Sequence, residues 1–173
     1  MTAAVIRPAV LEDAALLADL GIRTFRETFA PICSPADLQA FLAATYSPDK
    51  QRAELADPAR PGWVLELDGI PAGFLQLRLG HREPGVPGGR PVELQRIYVL
   101  RACHGRKHGA ALMDTAVGAA RAWGADCLWL GVWENNTRAL AFYARGGFRE
   151  VGDHIFKIGG QVDRDLILAK DLP

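Results

Sequence analysis

Net charge is the first thing this sequence lacks. Its 20 Lys and Arg are matched by 20 Asp and Glu, so the chain as a whole offers no field that would draw in nucleic acid or an anionic membrane. Cysteine is scarce as well. Cys33, Cys103 and Cys127 are odd in number and widely spaced, which argues against a disulfide framework and against a zinc site built on paired thiolates. No apolar run approaches the roughly 20 residues that span a bilayer, and the opening Met-Thr-Ala-Ala-Val-Ile-Arg-Pro carries no apolar signal region. Internal repeats, low-complexity linkers and the Gly-x-x-x-x-Gly-Lys-Ser/Thr phosphate loop of nucleotide hydrolases are all missing. What remains is an ordinary globular composition, 49% hydrophobic and 23% charged over 173 residues. It is expected to form a single domain, 1–173, in a reducing cytoplasm, with no metal, nucleic acid or membrane among its partners.

Charge that is absent overall is concentrated in one stretch. Residues 93–99, Glu-Leu-Gln-Arg-Ile-Tyr-Val, are apolar at Leu94, Ile97, Tyr98 and Val99 and read as a buried strand. Beyond Ala111, Leu112, Ala116, Ala119, Ala120 and Trp123 fall on one face of a helix. The connection holds Arg101, His104, Gly105, Arg106, Lys107, His108, Gly109 and Ala110. A helix start offers unpaired N–H groups and the positive end of a dipole, and glycines let an anion approach the backbone. The expected ligand is therefore a polyphosphate.

The rest of the chain supplies a frame. Val5–Arg7 reads as a first strand, Glu12 onward as a helix with Leu16 and Leu20 on one face, and Ser34-Pro35 and Ser47-Pro48 as cap-and-proline starts of two more helices. Strands follow at 63–67 and 72–79 around an Asp68-Gly69 hairpin turn. The glycine- and proline-rich segment 80–91 is expected to be mobile. A strand at 127–132, a short helix capped by Asn135 or Asn136, and two strands around Gly159-Gly160 complete the pattern. A strand, a crossover helix and a strand imply a parallel pair, whereas the hairpins are antiparallel. The predicted fold is a single α/β unit with a mixed sheet covered by helices on both faces.

Three pieces of this chain resemble the GNAT superfamily of acyl-CoA-dependent N-acetyltransferases. Leu94–Val99 is similar to its central strand, and His104-Gly-Arg-Lys-His-Gly109 stands where its pyrophosphate loop, Gln/Arg-x-x-Gly-x-Gly/Ala, is found. Asn136-Thr-Arg-Ala-Leu-Ala-Phe-Tyr143 followed by Gly146-Gly-Phe148 matches its Asn-x-x-Ala-x-x-Phe-Tyr…Gly-Phe element. Two departures stand out: His104 replaces Gln or Arg, and Lys107 replaces the middle glycine, at a cost of about 1 kcal/mol if the backbone there is left-handed. Residues 151–168 and 24–29 are also similar to bacterial spermidine/spermine N-acetyltransferases.

The resemblance implies a mostly antiparallel sheet whose central parallel pair splays, near Val132, to admit acetyl-CoA. It implies transfer of the acetyl group to a primary amine by direct attack. Ile97, Tyr98 and Val99 would meet the pantetheine arm, and residues 104–110, Asn136, Tyr143 and Arg145 would complete the cofactor site. Tyr143 is the expected general acid and Glu93 the expected base. Glu27, Asp153, Asp163 and His154 are candidates for an acceptor pocket. A polyamine such as spermidine suits those carboxylates, while an amino acid, an antibiotic amine and a peptide amine stay open. Family members often form homodimers, so the resemblance leaves a homodimer open, although nothing in the sequence locates an interface. A non-catalytic acyl-CoA sensor is the rival from another class.

Overall fold

Helix starts in this chain are fixed by short polar caps. Ser34 and Ser47 each accept the amide N–H three residues on, and each is followed by a proline at the first helical position, where the missing N–H costs nothing. These open α2 (Pro35–Thr45) and α3 (Pro48–Ala56), which follow β1 (Ala4–Pro8) and α1 (Ala14–Phe29). The structure, a computed structural model, describes residues 3–173.

Asp68 and Gly69 both take positive φ, 51° and 78°, which is the turn that suits the twist of a two-residue hairpin. It joins β2 (Gly62–Leu67) to β3 (Ile70–Arg78). Then come β4 (Pro91–Val99), α4 (His108–Ala122), β5 (Cys127–Trp133), α5 (Thr137–Arg145), β6 (Arg149–Ile158) and β7 (Gln161–Asp171). The strands form one seven-stranded sheet in the order β1-β2-β3-β4-β5-β7-β6, antiparallel except where β4 meets β5. That parallel pairing lasts only from Pro91 to Glu93 against Cys127 to Trp129. Beyond it the two strands separate, as expected of a splayed central pair.

Helices cover both faces. Leu112, Met113, Ala116 and Ala120 of α4 pack with Leu94, Leu128 and Leu130 on one side. On the other, Leu17, Leu20 and Phe25 of α1 and Leu38 and Leu42 of α2 pack with Val64 and Phe74. Two expectations need correction. Segment 80–91 is tied down: Arg82 donates to the Val86 and Gly88 carbonyls, Asp126 accepts the Gly89 and Arg90 amides, and Val86 is buried. Its glycines serve this close wrapping, which composition alone reads as looseness. The basic helix also begins at His108, so Gly109 and Ala110 lie in its first turn and not in the loop.

Candidate active site

Where β4 and β5 part, the sheet opens into a cavity of about 1190 Å³. Its floor is the unpaired end of β4. The Leu100 N–H donates to the Ala72 carbonyl on β3, and N–H groups along a strand alternate in direction. Those of Ile97 and Val99 therefore turn toward the edge that β5 has left. Val99 and Tyr98 also line the cavity, as do His104, Gly105, Lys107, His108, Gly109 and Ala110 at the α4 end and Asn136, Tyr143 and Arg145 from α5.

The α4 end is built to receive negative charge. Gly105 and Lys107 both hold left-handed backbone, φ 79° and 64°. Lys107 occupies the cap position, and no side chain caps the helix there. The first intrahelical bond runs from the Ala111 N–H to the Lys107 carbonyl, which leaves the preceding amides without intrahelical partners at the positive end of the dipole. A Cβ at Gly109 would stand 3.5 Å from the Phe142 ring, so a larger side chain there would crowd the mouth. Arg106 is the exception within the loop. It is exposed and does not line the cavity.

Among the described residues, three buried side-chain atoms lack a hydrogen-bond partner: His104 Nδ1, His108 Nε2 and Asp165 Oδ1. All three residues line this cavity. Unsatisfied buried polar groups cost about 1–3 kcal/mol each, so their concentration around one cavity marks where the fold has given up stability. His104 Nε2 lies 2.6 Å from the Val99 carbonyl oxygen. Because that oxygen can only accept, Nε2 carries the hydrogen and Nδ1 is the free atom.

Tyr143 is 9% exposed and is held edge-on by Phe142 and Phe148. Burial, and after it the neighbouring Tyr98, push its phenol well above the usual tyrosine value, so it stays protonated through the neutral range. Asn136 accepts the Ala139 N–H and so caps α5 while contributing to the cavity wall.

Glu93 does not join this assembly. It sits at the closed end of the parallel pair, is 8% exposed, accepts a 2.5 Å bond from Arg78 Nε and is absent from the cavity wall. Its partner comes from the neighbouring strand, so the structure places the expected base in an ion pair at the closed end. Of the acceptor-pocket carboxylates, Glu27 lines the cavity and accepts the Arg101 N–H at 2.9 Å. Asp153 is instead paired with Arg164 and Asp163 with Gln161, both away from the cavity. Asp165 lines the cavity instead. Burial first, then the charge of Asp163, raise its pKa to about 6, with His154 pulling the other way. The missed signal was the hairpin register: a turn at Gly159-Gly160 sets His154 opposite Asp165.

Among the described residues no cluster of His, Cys, Asp or Glu side chains is arranged to hold a metal ion. No helix there is long and apolar enough to cross a membrane.

A splayed parallel pair with a basic, uncapped helix at one end and a buried phenol beside it defines an acyltransferase that takes a long phosphorylated donor. Residues 23–148 match the acetyltransferase (GNAT) family. The chain belongs to that family and is an N-acetyltransferase, acetyl-CoA-dependent as the family is. It is 35% identical over 149 residues, covering 86% of both chains, to an uncharacterized N-acetyltransferase of Lactobacillus delbrueckii subsp. lactis. An uncharacterized N-acetyltransferase of Mycobacterium tuberculosis shares 33% identity over 94% of this chain and 99% of that protein. Among solved structures, the PaiA N-acetyltransferase of Thermoplasma acidophilum, in complex with coenzyme A, shares the fold with a TM-score of 0.77 at 21% identity, covering 98% of this chain and 99% of that one.

Proposed function

We propose that this cleft moves an acetyl group from acetyl-CoA to the primary amine of a small molecule by direct attack, with a polyamine such as spermidine as the first acceptor to try. One observation carries the reading: the unpartnered buried atoms His104 Nδ1, His108 Nε2 and Asp165 Oδ1 all belong to the wall of the cavity opened by the splayed strands. The residues present fit the donor. The free amides before Ala111, together with Lys107, suit a diphosphate. The N–H groups of Ile97 and Val99 suit the amides of the pantetheine arm, and the complex of the Thermoplasma relative supports coenzyme A as the ligand.

Tyr143 then donates its proton to the departing thiolate. Its raised pKa does not disqualify it, because the burial that disfavours the phenolate also disfavours the thiolate formed beside it. Carboxylates at Glu27 and Asp165 line the cavity, which suits a cationic acceptor. Three free thiols, Cys33, Cys103 and Cys127, fit a reducing compartment.

The test is thiol release from acetyl-CoA across a panel of spermidine, lysine, an aminoglycoside and a short peptide. At least one amine should be acetylated, and Tyr143→Phe should lower its kcat by about 100-fold or more. Binding of acetyl-CoA with no release for any amine would instead favour a sensor.

A further inference from the structure

Asp165 is an unusual carboxylate for a folded protein. Its side chain is 14% exposed, and among the described residues Oδ1 is buried without a partner and Oδ2 has only the His154 ring nitrogen within ion-pair reach, at 3.7 Å. Oδ2 also lies 3.8 Å from where a Cβ on Gly131 would stand, and Gly131 is cavity wall from the diverging strand β5. A Cβ at 131 would rest in ordinary contact with both the His154 ring and this oxygen, so a side chain that extends beyond Cβ has little room there.

The groups facing Asp165 are Asp163 on its own strand, His154 from β6 and Tyr98 from β4. Behind His154 stands Glu83, 3.9 Å from its second ring nitrogen, and behind that His81, 3.5 Å from the same Glu83 oxygen. Asp165 is the most enclosed member of this string at 14% exposure, against 32% at His154, 27% at Glu83 and 34% at His81. The string runs from the cleft to the surface.

We propose that Asp165, oriented by His154, accepts the proton of the acceptor's ammonium and thereby selects a cationic amine. This rests on the acetyltransferase reading above. The ammonium gives one proton to the Asp165 carboxylate, which passes it through the His154 imidazole to water. The neutral nitrogen forms its bond to the acetyl carbon as the carbon–sulfur bond breaks with its electron pair on sulfur. Tyr143 protonates that sulfur, and the second proton, shed by the nitrogen as the amide forms, restores the phenol. One proton leaves per turnover. Asp165 is thus the catalytic residue and His154 a positioning residue.

The experiment takes the best-used amine of the panel and follows kcat/KM for that amine from pH 5.5 to 9.5. Wild type should show an acidic limb near pH 6, where the buried carboxyl titrates. Asp165→Asn should fall about 100-fold at pH 7, lose that limb, and recover as pH nears the amine's own value of about 10. Its calorimetric affinity for acetyl-CoA should stay within about twofold, which also verifies that it folds. His154→Asn should move the acidic limb to higher pH, since the imidazole holds Asp165 lower than burial alone would; a merely structural role would leave it in place. An Asp165→Asn protein that matches wild type within threefold across the range overturns the proposal alone. A wild type that binds acetyl-CoA and acetylates no amine overturns the acetyltransferase reading with it.

Discussion

The two ends of the central strand pair treat polar groups in opposite ways. At the closed end, Glu93 is answered by Arg78 across the ladder, and Asp126 is answered by the amides of Gly89 and Arg90. At the open end, His104, His108 and Asp165 each keep a buried atom with no partner. The groups come from different elements, Glu93 from β4 and Asp126 from the turn before β5 against His104 just before α4, His108 at its start and Asp165 from β7. Yet each stands at one end or the other of the same strand pair. The difference separates groups that hold the sheet together from groups held ready for something that arrives from outside.

The contrast is best attacked through its two carboxylates. Glu93→Gln should lower the unfolding free energy by about 2–3 kcal/mol, somewhat under the cost of breaking a fully buried pair because Arg78 retains some solvent. Thiol release should stay within about twofold of wild type. Urea denaturation and a kinetic assay check the two halves of that statement. Activity lost with stability intact would put Glu93 back in the chemistry.

Asp165→Asn should do the reverse and stabilise the fold. The folded carboxyl titrates near 6 against an ordinary 3.8. Below the ordinary value both states are protonated and the group contributes nothing. As pH rises to about 6 the unfolded chain releases its proton while the native one keeps it, so native stability declines, and above that the penalty is constant. Asp165→Asn should therefore gain about 2 kcal/mol at pH 7 and nothing at pH 3.5, as read by urea midpoints at the two pH values.

The smallest effect belongs to the loop. Lys107 pays for a left-handed backbone, φ 64°, so Lys107→Gly should gain about 1 kcal/mol in thermal or urea unfolding. It should weaken acetyl-CoA binding about tenfold through loss of one charge-assisted contact. Tighter binding by Lys107→Gly would mean that the ammonium hinders the phosphates.

How much of this was legible depends on how local each feature is. Ser34, Ser47 and Asn136 cap their helices where the chain pattern says, because a cap needs only the next three residues. The Asp68-Gly69 turn and the strand, loop and helix around His104 are local in the same sense. Glu93 looks like a free charge in the sequence, whereas its partner Arg78 comes from the adjacent strand and is visible only in the fold. Asp165 does not stand out from Asp153 and Asp163 in the sequence, because facing the cleft depends on the splay of strands from distant parts of the chain. The wrapping of residues 80–91 depends on Asp126, again far along the chain.

The claim on which the rest stands is that the open end of the strand pair, closed off by the uncapped start of α4, holds acetyl-CoA. Calorimetric titration of the protein with coenzyme A measures it directly. The account predicts one molecule bound per chain, with affinity falling as salt is raised and weakened by at least tenfold in Gly109→Trp, which fills the mouth against Phe142. No heat of binding, or an undiminished affinity in Gly109→Trp, would contradict it.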